Sequence, residues 1–280
     1  MAQKLSEPLD LAARAVAAAR PHWEVLAHAE IDSTSAEARR LIDAAPGRPP
    51  FLVLADLQTS GRGRTGTRWE SGAGLSFLGT ACARAVDAGP RSLWPLRIAV
   101  ACAEALELGA LLPVGLKWPN DLLVGGRKLG GILMEDLGGG WIAAGVGVNL
   151  LQSSEQLPTV PAGFPQPTSL AVELGEMLPP REAVVVALCE RLIDAFEHAL
   201  PAPLALGAFK KRWCSPGARV RERPGERQLS GTAIDIDEEG FLLVRGDDGA
   251  IHRVSTPVEL ADAPRRDATT PVLTVRRSGA

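Results

Sequence analysis

No apolar run in this sequence approaches the roughly 20 residues that a bilayer-spanning helix needs. The longest, Ile98 to Ala103 and Ala183 to Cys189, fall far short, and the opening "MAQKLSEPLDLAARAVAAAR" mixes acids and bases with alanines where a signal peptide would carry a continuous apolar core. Neither export nor a membrane anchor is expected, and a cytoplasmic protein is. Charge of one sign is equally scarce: 30 basic against 33 acidic residues leave a formal charge of −3, so no global field draws the chain to nucleic acid or to an anionic membrane. Any anion must be held locally. Cysteine is sparse. Cys82, Cys102, Cys189 and Cys214 form no C-x-x-C pair, and His22, His28, His198 and His252 show no ligand spacing, which points to reduced, mostly buried thiols and away from disulfides or structural zinc. The sequence also lacks G-x-S-x-G and G-x-x-x-x-G-K-[ST], which argues against a serine hydrolase and a P-loop nucleotidase.

What is present is 280 residues, 46% of them hydrophobic, enough for a sizeable core in one large domain with a small one beside it. Leu9 to Ala19 reads as a short helix, and "STSAEARRLIDAA" as a second whose Thr34 and Glu37 have capping-box spacing. "FLVLADLQ" and "GLSFLGTACA" read as strands, and residues 92–112 as a helix lying on a sheet. "VGLKW", "PNDLLV", "RKLGGILME" and "WIAAGVGVNL" suggest adjacent antiparallel strands, with Gly125-Gly126 as a hairpin turn. A Pro-, Ser- and Gln-rich loop over 151–167 precedes helical patterns up to Trp213. Beyond a boundary near Ser215 to Gly217, "ARVRER", "LSGTAIDID", "GFLLVRGDDG" and "AIHRVS" have the short, Gly- and Asp-punctuated strands of a small β-barrel of about five strands. The arginine- and proline-rich end reads as a disordered tail.

One stretch concentrates cations against this neutral background: "GRGRTGTRWES", Gly61 to Ser71, with three glycines and three arginines in eleven residues. Its first six residues match G-x-G-x-x-G, yet "TGTRWESGAG" has no helical period, so the dinucleotide reading, which needs a helix N-terminus against the pyrophosphate, is disfavoured. A glycine-rich loop can instead wrap backbone N–H groups around an anion while guanidinium groups neutralise a carboxylate and a phosphate held close together. The bland alternative is a solvated basic hairpin tip. A second stretch, "LKWPNDLLVGGRKLGGILME", sets Lys117, Asn120, Asp121 and Lys128 within twelve residues on otherwise apolar strands. Buried Lys and Asp are rare unless paired or functional, although an ordinary Asx turn and a hairpin-edge charge account for the same residues equally well.

Taken in order, "DSTSAEA", "QTSGRGRTGTRWES", "LKWPNDLLVGGRKLGGILME", "GVGVNL" and "GTAIDIDEEGFLLVRGDDG" resemble the biotin protein ligases over residues 29–260. The fold this resemblance implies is α+β: a mixed sheet flanked by helices, the biotin-lipoyl ligase catalytic domain of class II synthetase-like kind, over residues 1–216. A small C-terminal SH3-like β-barrel over 217–263 and a tail over 264–280 would follow. The implied reaction has two steps: biotin and MgATP give biotinyl-5′-adenylate and pyrophosphate, then a lysine of a biotin carboxyl carrier domain attacks the mixed anhydride.

By the same resemblance Arg62 and Arg64 clamp the adenylate, Lys128 contacts both the biotin carboxylate and the α-phosphate, and Asp121 takes or guides the proton of the attacking lysine. Lys128, Asp121 and Arg64 are thus the catalytic candidates. Ser33, Thr34, Gln58, Arg62, Lys128, Gly130, Gly131 and Gly147 are implied for biotin, its ureido head falling to Ser33, Thr34 and Gln58. Arg62, Arg64, Trp69, Asn120, Lys128 and Asn149 are implied for the nucleotide, with Trp69 stacked near adenine; no magnesium ligands are assigned. The pattern departs from the family at Ser35, where Asn is usual, at Thr65 and Thr67, where basic residues are frequent, and at Gly72, where Pro is common. About 30 residues precede "DST", too few for a winged-helix DNA-binding domain, so no DNA partner is expected; a monomer or a homodimer is. A lipoate or octanoate enzyme of the same fold, and a non-catalytic biotin or adenylate sensor, are the rival readings. The arginine loop and Lys-Trp-Pro-Asn-Asp segment argue against the first, intact Asp121 and Lys128 against the second.

Overall fold

The computed structural model describes residues 4–86, 89–161, 164–221, 229–255 and 259–261, so the expected tail over 264–280 lies outside the described residues. The helices among them are α1 (Glu7–Ala19), α2 (Thr34–Ala44), α3 (Trp94–Ala110), α4 (Leu170–Leu174), α5 (Arg181–Glu197) and α6 (Ala202–Arg212). The strands are β1 (Glu24–Ile31), β2 (Phe51–Gln58), β3 (Gly61–Arg62), β4 (Arg68–Trp69), β5 (Ser76–Arg84), β6 (Gly115–Lys117), β7 (Asp121–Val124), β8 (Arg127–Gly138), β9 (Trp141–Asn149), β10 (Arg219–Arg221), β11 (Ser230–Ile236), β12 (Leu242–Gly246), β13 (Ile251–Val254) and β14 (Glu259–Ala261).

Seven strands form a mixed sheet in the order β1-β2-β5-β9-β8-β7-β6, parallel only between β1 and β2. The remaining connections are antiparallel, and the β7–β8 hairpin turns at Gly125 and Gly126, whose φ values of 55° and 79° are open to glycine at no steric cost. Because side chains alternate along a strand, the sheet has two faces of different composition. On one, Leu52, Leu54, Phe77, Ala81, Ile132, Ala144, Val146 and Val148 pack with the apolar stripes of α1, α3 and α5 in a single core. Each of the larger side chains contributes on the order of 1.5–3 kcal/mol by leaving water, and each alanine less than about 1 kcal/mol. On the other face a second, smaller core of Phe51, Val53, Cys82 and Ala143 is covered by Ala38 and Ile42 of α2. Past that cover, register and alternation place Thr80, Gly145, Gly147, Gly131, Leu133, Lys128 and Asp121 side by side.

The helix starts follow local chemistry. Pro8 and Pro95 stand in the first turns of α1 and α3, where a missing N–H costs nothing. At α2 the structure corrects the capping-box register. Ser33, not Thr34, is the N-cap, accepting from Ala36 N–H, and Glu37 is committed to Arg40, which frees Thr34 to point into the sheet. An ion pair lies buried among the apolar side chains: Arg181, at the first residue of α5, meets Asp56 of β2 at 3.0 Å, and Ser6 binds the same carboxylate through its N–H and hydroxyl at 2.7 Å each. The pair ties α1, α5 and β2 together behind the strand ends from which the arginine loop departs.

The C-terminal strands make a five-stranded antiparallel sheet in the order β13-β12-β11-β10-β14. Among the described residues no pairing closes it into the expected barrel. It meets the larger sheet where Trp118 Nε1 donates to the Gly240 carbonyl at 2.9 Å, just before the Asn120-Asp121 pair. Among the described residues no helix is long and apolar enough to cross a membrane.

Candidate active site

The β7–β8 hairpin brings Lys128 Nζ to 2.7 Å from Asp121 Oδ1, with the carboxylate the better shielded of the two. Lys128 is fixed through its backbone, donating to Gln166 O at 2.7 Å and accepting from Thr168 N–H at 2.8 Å, so the loop over 151–167 braces the hairpin from outside. Asn120 is no simple Asx turn. Its Nδ2 donates to Ile132 O at 2.7 Å and its carbonyl accepts from Ile132 N–H at 3.0 Å, a tie that sets Asp121 against β8. The hairpin-edge reading of Lys128 gives way to a paired, braced cation.

The floor beside this pair is glycine. A Cβ on Gly131 would stand 3.7 Å from Lys128 Nζ and 3.8 Å from Asp121 Oδ1, and its register partner Gly147 lies under Trp69, where a Cβ would come within 2.6 Å of the indole. Only glycine lets that ring lie on the strand. Gly130 faces the opposite way: its missing side chain would meet Leu122, Val148 and the Gly147 carbonyl, so its smallness serves packing between strands.

The arginine loop stands over this floor as a short ribbon, β3 on β4, tipped by one 3-10 turn at Arg64–Gly66. Gly63 N–H donates to Thr67 O at 2.7 Å, and Thr67 Oγ1 to Arg64 O at 2.8 Å, so the threonine that replaces a frequent basic residue braces the turn. Arg62 pairs with Glu135 of β8 at 2.8 Å. Burial pulls the Arg64 pKa down, and the Asp121 carboxylate opposes the shift, placing the guanidinium within the field of the Lys128–Asp121 pair. Residues 60–64 and 66–68, with Leu133 and Glu135, line a cavity of about 560 Å³, within the size range of small-molecule sites.

At the α2 end, Ser33 and Thr34 are buried and Gln58 closes on them, its Oε1 accepting from Thr34 N–H at 2.8 Å and from Thr34 Oγ1 at 3.0 Å. Gln58 Nε2 lies beside Gly61, at the edge of the cavity. Asn149 stands apart from the arginines with its amide engaged, Nδ2 donating to Thr168 O at 2.9 Å and Oδ1 accepting from Gln152 Nε2 at 3.2 Å. The structure therefore gathers Lys128, Asp121, Gly131, Gly147, Trp69, Arg62 and Arg64, with Ser33, Thr34 and Gln58 at one end. Sequence reading missed Thr80, Glu135 and Gln152. Glu135 had a legible signal in its place at the end of "GGILME", whereas Thr80 reaches the site through the pairing of β5 with β9, and Gln152 through the loop after β9, which folds back onto Asn149 and Ser76. Among the described residues no three His, Cys, Asp or Glu side chains cluster to hold a metal ion.

The constellation is an arginine-rich loop over a glycine floor with a lysine–carboxylate pair, and comparison with known proteins places it in a ligase family. Residues 29–150 match the Biotin/lipoate A/B protein ligase family, and residues 217–256 the Biotin protein ligase C terminal domain. The chain is 32% identical to the biotin–[acetyl-CoA-carboxylase] ligase of Paracoccus denitrificans, over 79% of this chain and 94% of that one. It is likewise 32% identical to the enzyme of that name from Mycobacterium tuberculosis, over 77% and 81%. Among solved structures, the biotin protein ligase of Leishmania major in complex with biotin superposes with a TM-score of 0.61 at 26% identity, over 85% of this chain and 99% of that one. The Aquifex aeolicus biotin protein ligase, solved with biotin and ATP, shares the fold at a TM-score of 0.66 and 23% identity, over 83% and 96%. The chain belongs to the biotin protein ligase family.

Proposed function

We propose that this protein activates biotin with MgATP to biotinyl-5′-adenylate, releasing pyrophosphate, and transfers the biotinyl group to one lysine of a biotin carboxyl carrier domain, releasing AMP. The observation that carries the proposal is the Lys128–Asp121 pair at 2.7 Å on a glycine floor facing the arginine loop. In the first step a carboxylate must approach an already anionic α-phosphate, and Lys128, Arg62 and Arg64 supply positive charge where negative charge accumulates. The magnesium ion enters with ATP as part of the substrate. Closure of the loop, with Trp69 on Gly147, keeps water from the anhydride until the acceptor arrives.

In the second step the acceptor lysine must lose a proton to attack, and Asp121 takes or guides it. Once the intermediate spans the site, Lys128 turns from the Asp121 carboxylate to the ligand's anionic oxygens, which leaves Asp121 able to accept that proton. Ser33, Thr34 and Gln58 hold the ureido head, and Asn149, steadied by Gln152 and Thr168, flanks the base. We read residues 1–216 as the catalytic domain and the sheet beyond Gly217 as a second domain that supports it through Trp118. The near balance of 30 basic and 33 acidic residues, which gives no global field toward nucleic acid or an anionic membrane, supports a cytoplasmic enzyme acting as monomer or homodimer. The test is the intact mass of a biotin carrier domain after incubation with the protein and MgATP, with biotin and lipoate in parallel. A biotin-sized gain on one lysine with biotin alone supports the proposal; no gain, or a gain with lipoate only, overturns it.

A further inference from the structure

Behind Thr34 and Gln58, which are expected to hold the biotin head, two buried hydroxyls continue the chain and have no role in the reaction as proposed. Thr80, on β5, is fully buried, and its Oγ1 stands 2.9 Å from Thr34 Oγ1 and 3.2 Å from Ser35 Oγ. Thr34 Oγ1 in turn lies 3.0 Å from Gln58 Oε1.

The directions of these bonds are forced. Thr34 N–H, 2.8 Å from the Gln58 amide, can only donate, so the amide atom it meets is the oxygen and not the nitrogen. The Thr34 hydroxyl, meeting the same oxygen, gives it its only proton and must accept from Thr80. Thr80, its proton spent on Thr34, must accept from Ser35. All protons therefore run one way, from Ser35 through Thr80 and Thr34 to Gln58 Oε1, and bonds aligned in this sense strengthen one another. The outcome at the site is that both Gln58 Nε2 protons stay available as donors, while the Ser33 hydroxyl, which accepts from Ala36 N–H, keeps its own proton to give. Ser35, where Asn is usual, lies over Gly145: its Oγ sits 2.5 Å from where a Cβ on Gly145 would lie, so the glycine leaves the hydroxyl its place.

We propose that Thr80 is a positioning residue that, with Ser35 behind it, commits the Thr34 hydroxyl to Gln58 Oε1, adding a second bond to the one from Thr34 N–H that holds the Gln58 amide with Nε2 free to donate, and so selects ligands bringing a carbonyl acceptor to that end of the cavity. The inference rests on the ligase reading, in which the acceptor is the ureido carbonyl of biotin. A head group without an acceptor, such as a dithiolane, leaves the half-buried Gln58 donor and the buried Ser33 donor unpaired, which disfavours it.

The test is Thr80→Val, which keeps the shape and removes the hydroxyl, compared with Thr80→Ser, which keeps the hydroxyl. Steady-state biotinylation of a carrier domain is measured with biotin and with ATP varied in turn. Thr80→Val raises the KM for biotin about tenfold, as expected for loss of one hydrogen bond in a buried chain, with kcat and the KM for ATP within about twofold of wild type. Thr80→Ser restores the biotin KM. Should Val prevent folding, Ser35→Ala removes only the first donor and gives a rise of about threefold, again confined to biotin. An unchanged biotin KM in Thr80→Val, equal rises for biotin and ATP, or a Ser variant as impaired as Val overturns the inference while the ligase reading stands. A wild-type protein that neither binds nor transfers biotin overturns the ligase reading and this inference with it.

Discussion

The two faces of the seven-stranded sheet are built from the same strands and could hardly differ more. On one, Leu52, Leu54, Phe77, Ala81, Val146 and Val148 are buried under three helices. On the other, their immediate neighbours in sequence include Thr80, Gly145 and Gly147, with the Ser35 hydroxyl over Gly145 and the Trp69 indole over Gly147. The period of two along a strand allows this: every second residue makes the scaffold rigid, and the residues between are free to be small, polar or charged because the fold does not depend on them. Chemistry and stability are separated by one peptide unit.

The largest expected effect comes from the polar face. Lys128→Ala leaves the strand intact and removes the cation between carboxylate and phosphate, so biotin-dependent pyrophosphate release falls about 100-fold or more with little change in melting temperature. Gly147→Val then sharpens the division, because its added Cβ would stand 2.6 Å from the Trp69 indole, on the side away from the core. Overpacking of about 1–3 kcal/mol displaces the ring and the loop, and free biotinyl-adenylate leaks into solution about tenfold faster than from wild type. The mirror experiment is Leu54→Ala, one residue in sequence from the polar face. It costs about 2–5 kcal/mol in urea unfolding and leaves the KM values for biotin and ATP within about twofold, wherever enough folded protein remains to assay.

The smallest effect is electrostatic and sits at the turn before α2. Arg40, hydrogen-bonded to the Asp32 carboxylate, holds its pKa down at about 2, with the Ser33 N–H assisting. A depressed carboxylate stabilises the fold above its unfolded pKa of about 3.9, and that stability is lost as pH falls toward 2. The pair is half exposed, so the loss is small. Urea midpoints taken between pH 5 and pH 2 should fall more in wild type than in Arg40→Ala, and parallel curves would remove Asp32 from the account.

Much of this was legible in the sequence, and for physical reasons. Strands β2 and β9 announce themselves as apolar runs, and Gly125-Gly126 between β7 and β8 marks a hairpin that only positive φ can make. The cation concentration at Arg62 and Arg64 and the Lys128–Asp121 spacing left a site and a plain basic turn equally open, and the fold resolves the second pair by bringing Lys128 Nζ to 2.7 Å from Asp121. What could not be read was side-chain contact between elements far apart in the sequence. Thr80 meets Thr34 across 46 residues, and Glu135 meets Arg62 across 73. The capping register at α2 failed for a local reason: three adjacent hydroxyl residues can each serve as cap, and the one that does is decided by Gln58 taking Thr34 away.

The proposed mechanism assigns activation to Lys128 and transfer to Asp121, although the two side chains lie 2.7 Å apart. The most direct measurement of that division supplies preformed biotinyl-5′-adenylate to Lys128→Ala together with a carrier domain and follows biotinylation in a single turnover. The expected result is transfer within about tenfold of wild type from the supplied adenylate, beside a near absence of product from biotin and MgATP. Failure to transfer from preformed adenylate would contradict the division, and would make the Lys128–Asp121 pair one indivisible device for both steps.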